Sequence, residues 1–125
     1  MGKKQERIFM SRLFKLKKKE FSKVDKEWQW TYACLSPFLF NKKTIEYLTI
    51  TDHYQIEHKE IITNELILEI LANLPPRINP RARHGQRDIY IWEHIPENNK
   101  EYRLIFWFKD HTTNHLWIRN CYLID

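Results

Sequence analysis

Two histidines, His53 and His58, stand five residues apart just ahead of an apolar stripe, and an arginine cluster follows that stripe. Histidine transfers protons near neutrality because its pKa lies there. Arg77, Arg81, Arg83 and Arg87 fall within eleven residues, with His84 among them and no acid before Asp88. A guanidinium engages phosphate oxygens in pairs, so this loop makes a local cationic site. Arg103 adds a further cation, and Tyr122 a phenol able to donate to a phosphate oxygen. Each candidate has a plainer alternative. His53 is also suited to capping a backbone group at a strand end, and His58 to an exposed helix position. Arg103 has Glu93 and Glu101 as sequence neighbours for an ion pair, and Tyr122 suits a core or rim position.

Other chemistries are excluded or disfavoured. The only glycines are Gly2 and Gly85, too few for a phosphate-cradling loop, and no cofactor is expected. His111 and His115 are four apart but have no third ligand of suitable type nearby, so no metal site is expected. Cys34 and Cys121 are distant and lack a CxxC partner, which favours a reduced chain and a cytoplasmic location. Ile8-Phe9-Met10 is too short for a signal-peptide core. The run from Leu35 to Phe40 contains Pro37 and is too short for a transmembrane segment.

Charge is uneven along the 125 residues. Residues 1–30 hold ten Lys/Arg against four acids, and the remainder eleven against twelve. The division expected is a basic arm over 1–26 and a single α+β domain over 27–125. Within the arm, Ile8, Phe9, Arg12, Leu13 and Leu16 share roughly one face at helical spacing, which predicts a basic helix over residues 3–20. Lys15, Lys17, Lys18 and Lys19 would face a polyanion such as RNA, DNA, an acidic protein or an anionic membrane. A solvated helix is the alternative.

The elements that must position these groups follow in order. Trp28, Trp30, Tyr32 and Cys34 alternate with polar or small residues and predict a strand over 27–34; residues 44–51 predict a second. Thr63 is an N-cap for a helix carrying Leu66, Ile67, Ile70, Leu71 and Leu74 on one stripe, stopped by Pro75-Pro76. Three alternating segments, 88–95, 101–109 and 115–124, predict a C-terminal antiparallel meander. In the last, Asn120 and Tyr122 alternate with Leu116 and Ile118 against His115, Trp117 and Arg119. The fold class expected is α+β: a basic helical arm, strands, a helix and a three-stranded meander.

That order resembles the RelE/ParE toxins and the wider barnase/EndoU/colicin/RelE-like ribonuclease domains. Tyr102-Arg103-Leu104-Ile105 resembles their "YRL" strand, and Asn120-x-Tyr122 resembles their last strand. The resemblance covers residues 44–125. It implies metal-independent cleavage of RNA, in which the 2′-OH attacks the adjacent phosphorus. The implied catalytic set is His53, His58, Arg83, Arg103 and Tyr122. On charge alone, Lys15, Lys17, Lys18 and Lys19 of the arm, which lies outside the resemblance, and Arg77, Arg81 and Arg87 of the loop are the expected nucleic-acid contacts. A cognate antitoxin or immunity protein is the implied partner. The alternative is a growth-inhibiting or nucleic-acid-binding module without catalysis.

Overall fold

The computed structural model describes residues 13–53 and 62–124. Seven strands form one mixed sheet: β1 (Phe14–Ser22), β2 (Glu27–Phe40), β3 (Lys43–Thr51), β4 (Ala82–His84), β5 (Arg87–Glu97), β6 (Lys100–Phe108) and β7 (His115–Ile124). Their order across the sheet is β1-β2-β3-β7-β6-β5-β4. A single described helix, α1 (Asn64–Leu71), lies between β3 and β4 in the chain. Two antiparallel meanders, β1–β3 and β4–β7, therefore meet where β3 runs parallel to β7, from the pair Tyr47–His115 to the pair Ile50–Ile118.

This corrects the expected architecture in two places. Within the predicted basic helix, Phe14–Ser22 is a strand. Lysine has good intrinsic helix propensity, but pairing along eight residues of β2 overrides it. A bulge between Leu16 and Lys18 lets Phe14 and Leu16 face one side with Lys19 and Phe21, which breaks the simple alternation a reader would look for. The C-terminal strands also do not stand alone as a three-stranded meander. The short β4 precedes them, and β7 joins them to β3.

The two sheet faces differ. Leu48, Ile50, Leu104, Phe106, Leu116 and Ile118 are buried on one face together with Leu66, Ile67, Leu68, Ile70 and Leu71 of α1. Thr63 caps α1, its hydroxyl accepting from Leu66 N–H at 3.1 Å. Asn64 Nδ2 donates to the Tyr32 hydroxyl at 3.3 Å, fixing the start of the helix over β2. Phe40 sits at the far end of this core, in ring contact with Tyr90, Phe106 and Phe108 at centroid distances of 5.3, 5.5 and 6.0 Å. Next to it Asn41, at φ 49, clasps the segment after α1. Its side chain donates to the Ile78 carbonyl and accepts from Ile78 N–H, both at 3.0 Å, and its N–H donates to the Pro76 carbonyl at 2.8 Å. The opposite sheet face has no helix on it among the described residues.

Phe40 joins both meanders, so its truncation leaves a cavity shared by them. Phe40→Ala is expected to lower the unfolding free energy by about 3–5 kcal/mol, read as a shift of the urea midpoint with the slope unchanged.

Candidate nucleic-acid interface on the open sheet face

Residues directly paired across neighbouring strands share a face. From the exposed side of β1 inwards, Lys18 pairs with Thr31, Thr31 with Thr49, Thr49 with Trp117 and Trp117 with Trp107. The five residues form one row across five strands, about 19 Å long at the usual strand spacing. At its inner end the two indoles are partly exposed, and the Arg87 guanidinium lies 4.6 Å from the Trp107 ring centre. Arg87 is held there by Asp110, with Nη2 donating at 2.7 Å and Nε at 3.2 Å.

The middle of the row is hydrogen-bonded. Thr31 and Thr49 hydroxyls share a bond of 2.8 Å, and Thr49 Oγ1 shares one of 2.6 Å with His115 Nε2. Burial, with a smaller contribution from Lys109, pushes His115 down to about 4, so its imidazole is neutral at pH 7. Trp107 and Trp117 also line a cleft of about 580 Å³ with Asp25, Glu27, Arg87, Lys109, Asp110 and Arg119. Buried Glu27 accepts from Arg119 Nη1 at 3.1 and 3.4 Å. Burial raises the Glu27 pKa above the ordinary carboxylate value, and Arg119 partly offsets this.

A second polar group lies on the same face further along β6 and β7. Arg103 pairs directly with Tyr122 in the β6–β7 register, so the two share the open face. Asn120 joins them, its Nδ2 donating to the Tyr122 hydroxyl at 2.8 Å. The cause is a bulge at Arg119: Phe106 pairs with Ile118 but Ile105 with Asn120. The extra residue reverses the alternation beyond it and brings Asn120 and Tyr122 to the side of Trp117, away from Leu116 and Ile118. Arg103 Nη2 donates to Glu93 at 2.9 Å, and Arg81 also binds that carboxylate. The two arginines hold the Glu93 carboxyl below its usual range. Arg103 Nε is buried with no hydrogen-bond acceptor among the described residues.

The other candidates are scattered. His53 follows β3 at the rim, near enough to influence Glu27 electrostatically. His58 lies outside the described residues. Arg83 pairs with Asp88 at 3.7 Å, and their register places them on the helix side, away from Arg103 and Tyr122. Arg77 is exposed in the segment after α1. Lys15 and Lys18 pair with Ala33 and Thr31 and so face the open side; Lys17 is the unpaired residue of the bulge. Lys19 faces the helix side, its Nζ over Trp28 and Trp30 at 4.9 and 5.9 Å. His111 sits exposed in the β6–β7 turn. Both cysteines are free and buried, with thiols pushed up to about 12 by burial.

Glu27, Arg119, Thr31, Thr49 and the Trp107–Trp117 pair were not singled out from sequence. One signal was present for the tryptophans. Each alternates with the apolar core positions of its strand and falls instead with Arg103 or with His115 and Arg119. No family model, curated protein or solved structure matches the chain.

The sign of the His115 shift sets a pH window. Between the ordinary value of 6.5 and about 4 the unfolded chain binds a proton at this residue that the folded chain does not. Stability is therefore expected to fall as pH drops through that window. Glu27, with a raised pKa, contributes in the opposite direction, being better tolerated in the fold once protonated. Urea titrations at pH 7 and pH 5 should show the loss, and His115→Gln, which keeps a bond to Thr49 without titrating, should reduce it.

Proposed function

We propose that the protein binds single-stranded RNA across the open sheet face. The observation that carries this reading is the Trp117–Trp107 pair at the end of the Lys18–Thr31–Thr49 row. Bases stack on exposed indoles whatever their sequence, and a sheet of this breadth with two aromatic platforms accommodates two or three of them. The Lys18 ammonium and the half-buried Thr31 hydroxyl suit phosphate and sugar, and the buried Thr49 hydroxyl holds Thr31 in place. Arg87 and Arg103 are paired with acids, but partly exposed pairs contribute little. Phosphate can therefore replace a carboxylate at modest cost.

Trp107→Ala and Trp117→Ala are each expected to weaken binding of a fluorescent oligouridylate by about 1–3 kcal/mol. Lys18→Ala should mainly reduce the salt dependence. Unchanged affinity in the double tryptophan variant would remove the sheet face as the binding site.

Cleavage in addition to binding is favoured by one feature, the Glu27–Arg119 pair at the cleft with His53 nearby. A carboxylate with a raised pKa is suited to take the proton from a 2′-OH. The 2′ oxygen would attack phosphorus, Arg119 would balance the phosphorane charge, and His53 would deliver a proton to the departing 5′ oxygen, leaving a 2′,3′-cyclic phosphate. This reading retains metal-free ribonuclease chemistry but moves its centre from His58 and Arg83 to Glu27 and Arg119. In EDTA, Glu27→Gln is expected to lose cleavage by about 100-fold or more while oligonucleotide affinity stays close to that of the parent. Cleavage that persists in Glu27→Gln would leave only the binding function.

A further inference from the structure

The β1–β2 hairpin carries a second surface that the sheet-face reading leaves unused. β2 pairs with β3 as far as Gln29–Thr51, and Asp52 N–H donates to the Trp28 carbonyl at 3.1 Å. The turn over residues 22–26 therefore extends past the end of β3. It is held in shape by Ser22, whose hydroxyl accepts from Asp25 N–H at 3.1 Å and donates to Asp25 Oδ2 at 3.2 Å. On this fixed turn Val24 is 91% exposed. Just behind it on the helix-side face, Phe21 and Trp28 are 49% and 41% exposed and pack edge to face at 5.4 Å. Lys23 and Asp25 flank the valine, Asp25 being turned back onto Ser22; Lys26 follows, and Lys19 Nζ lies 4.9 Å from the Trp28 ring centre.

Three features coincide: an aliphatic side chain at a projecting tip, aromatic rings one step back, and the ammonium groups of Lys19, Lys23 and Lys26 nearby, with Asp25 tied back to Ser22. A projecting tip offers no groove for a peptide or an oligonucleotide. The layering does match the depth profile of a bilayer surface. Aliphatic carbon belongs below the headgroups, indole at the headgroup level, and lysine beside anionic lipid, with its stem in apolar surroundings and its ammonium in water. Neither apolar insertion nor basic charge is strong alone, and stable surface binding takes both. We propose that this hairpin docks on an anionic lipid surface, with Val24 inserted and Phe21 and Trp28 at the interface.

The test is co-sedimentation of the full chain with phosphatidylcholine vesicles with and without phosphatidylserine. Binding is expected only to vesicles containing the anionic lipid. Val24→Asp touches no packed contact and is expected to weaken binding about tenfold. Lys23→Glu combined with Lys26→Glu should weaken it about tenfold or more. The variant lacking Trp107 and Trp117 side chains should still bind vesicles, which separates this surface from the sheet face. Equal binding to neutral vesicles would overturn the proposal. So would full binding by Val24→Asp, or displacement of the variant lacking the Trp107 and Trp117 side chains by soluble polyglutamate at equal charge, since each would make the hairpin a plain polyanion site.

Discussion

The parallel seam between β3 and β7 is the constraint on which the rest of the sheet depends. Four register pairs join two meanders that are otherwise antiparallel within themselves. Polar groups pin the seam at both ends. Asn114 accepts from the N–H groups of Glu46 and Tyr47 at 2.8 and 3.1 Å, and its side chain donates to Glu46 Oε2 at 2.8 Å. At the other end the Thr51 hydroxyl reaches the Ile118 and Arg119 carbonyls at 3.4 and 3.2 Å. Between them Thr49 and His115 bond across the seam. A neutral imidazole is the form suited to that half-buried position. Without the seam, Lys18 and Thr31 would belong to one small sheet and the tryptophan pair to another.

The aliphatic core lies on the side where the single described helix packs, while the other face mixes buried polar groups (Glu27, Gln29, Thr49, Thr51 and Asn120) with partly exposed ones. α1 presents five buried aliphatic residues to the sheet, and the loop after it is tied down by Asn41. The opposite face is left with side chains that are partly apolar and partly charged. Its cations are largely matched: Arg87 with Asp110, Arg81 and Arg103 with Glu93, and Arg119 with Glu27. Such a surface is not a bare basic patch. It holds guanidinium groups in fixed orientations beside indoles, and a polyanion must compete with carboxylates to use them. That arrangement favours ligands that bring both charge and flat aromatic surface.

Much of the strand content was legible as alternation, and the start of α1 as a Thr63 cap ahead of an apolar stripe. The site was legible only in fragments, because three bulges alter the phase. One extra residue at Lys17 hides β1 within what reads as helical spacing. Another, between Trp92 and Ile95, turns Ile95 to the core while Glu93 stays on the open face, and His94 takes φ 56. The third, at Arg119, brings Asn120 and Tyr122 round to Arg103. An inserted residue shifts every following side chain to the other face, and alternation counted along a single strand cannot reveal it. The row across five strands was illegible for a different reason. It is a property of register between residues far apart in sequence, and nothing local encodes it.

The Thr49–His115 bond spans 66 positions of the chain. Hairpins such as β1–β2 and β5–β6 close short loops, and their ends meet early during folding. The seam instead brings together two strands with α1 and three further strands strung between them. The entropy of that closure must be met before the contacts it creates can repay it, so the protein belongs among slow, non-local folders. Until that closure, β3 and β7 each present an unsatisfied strand edge. Those edges are complementary between molecules as well as within one. The same seam that organises the monomer therefore provides the route by which two chains, at high concentration, would exchange halves.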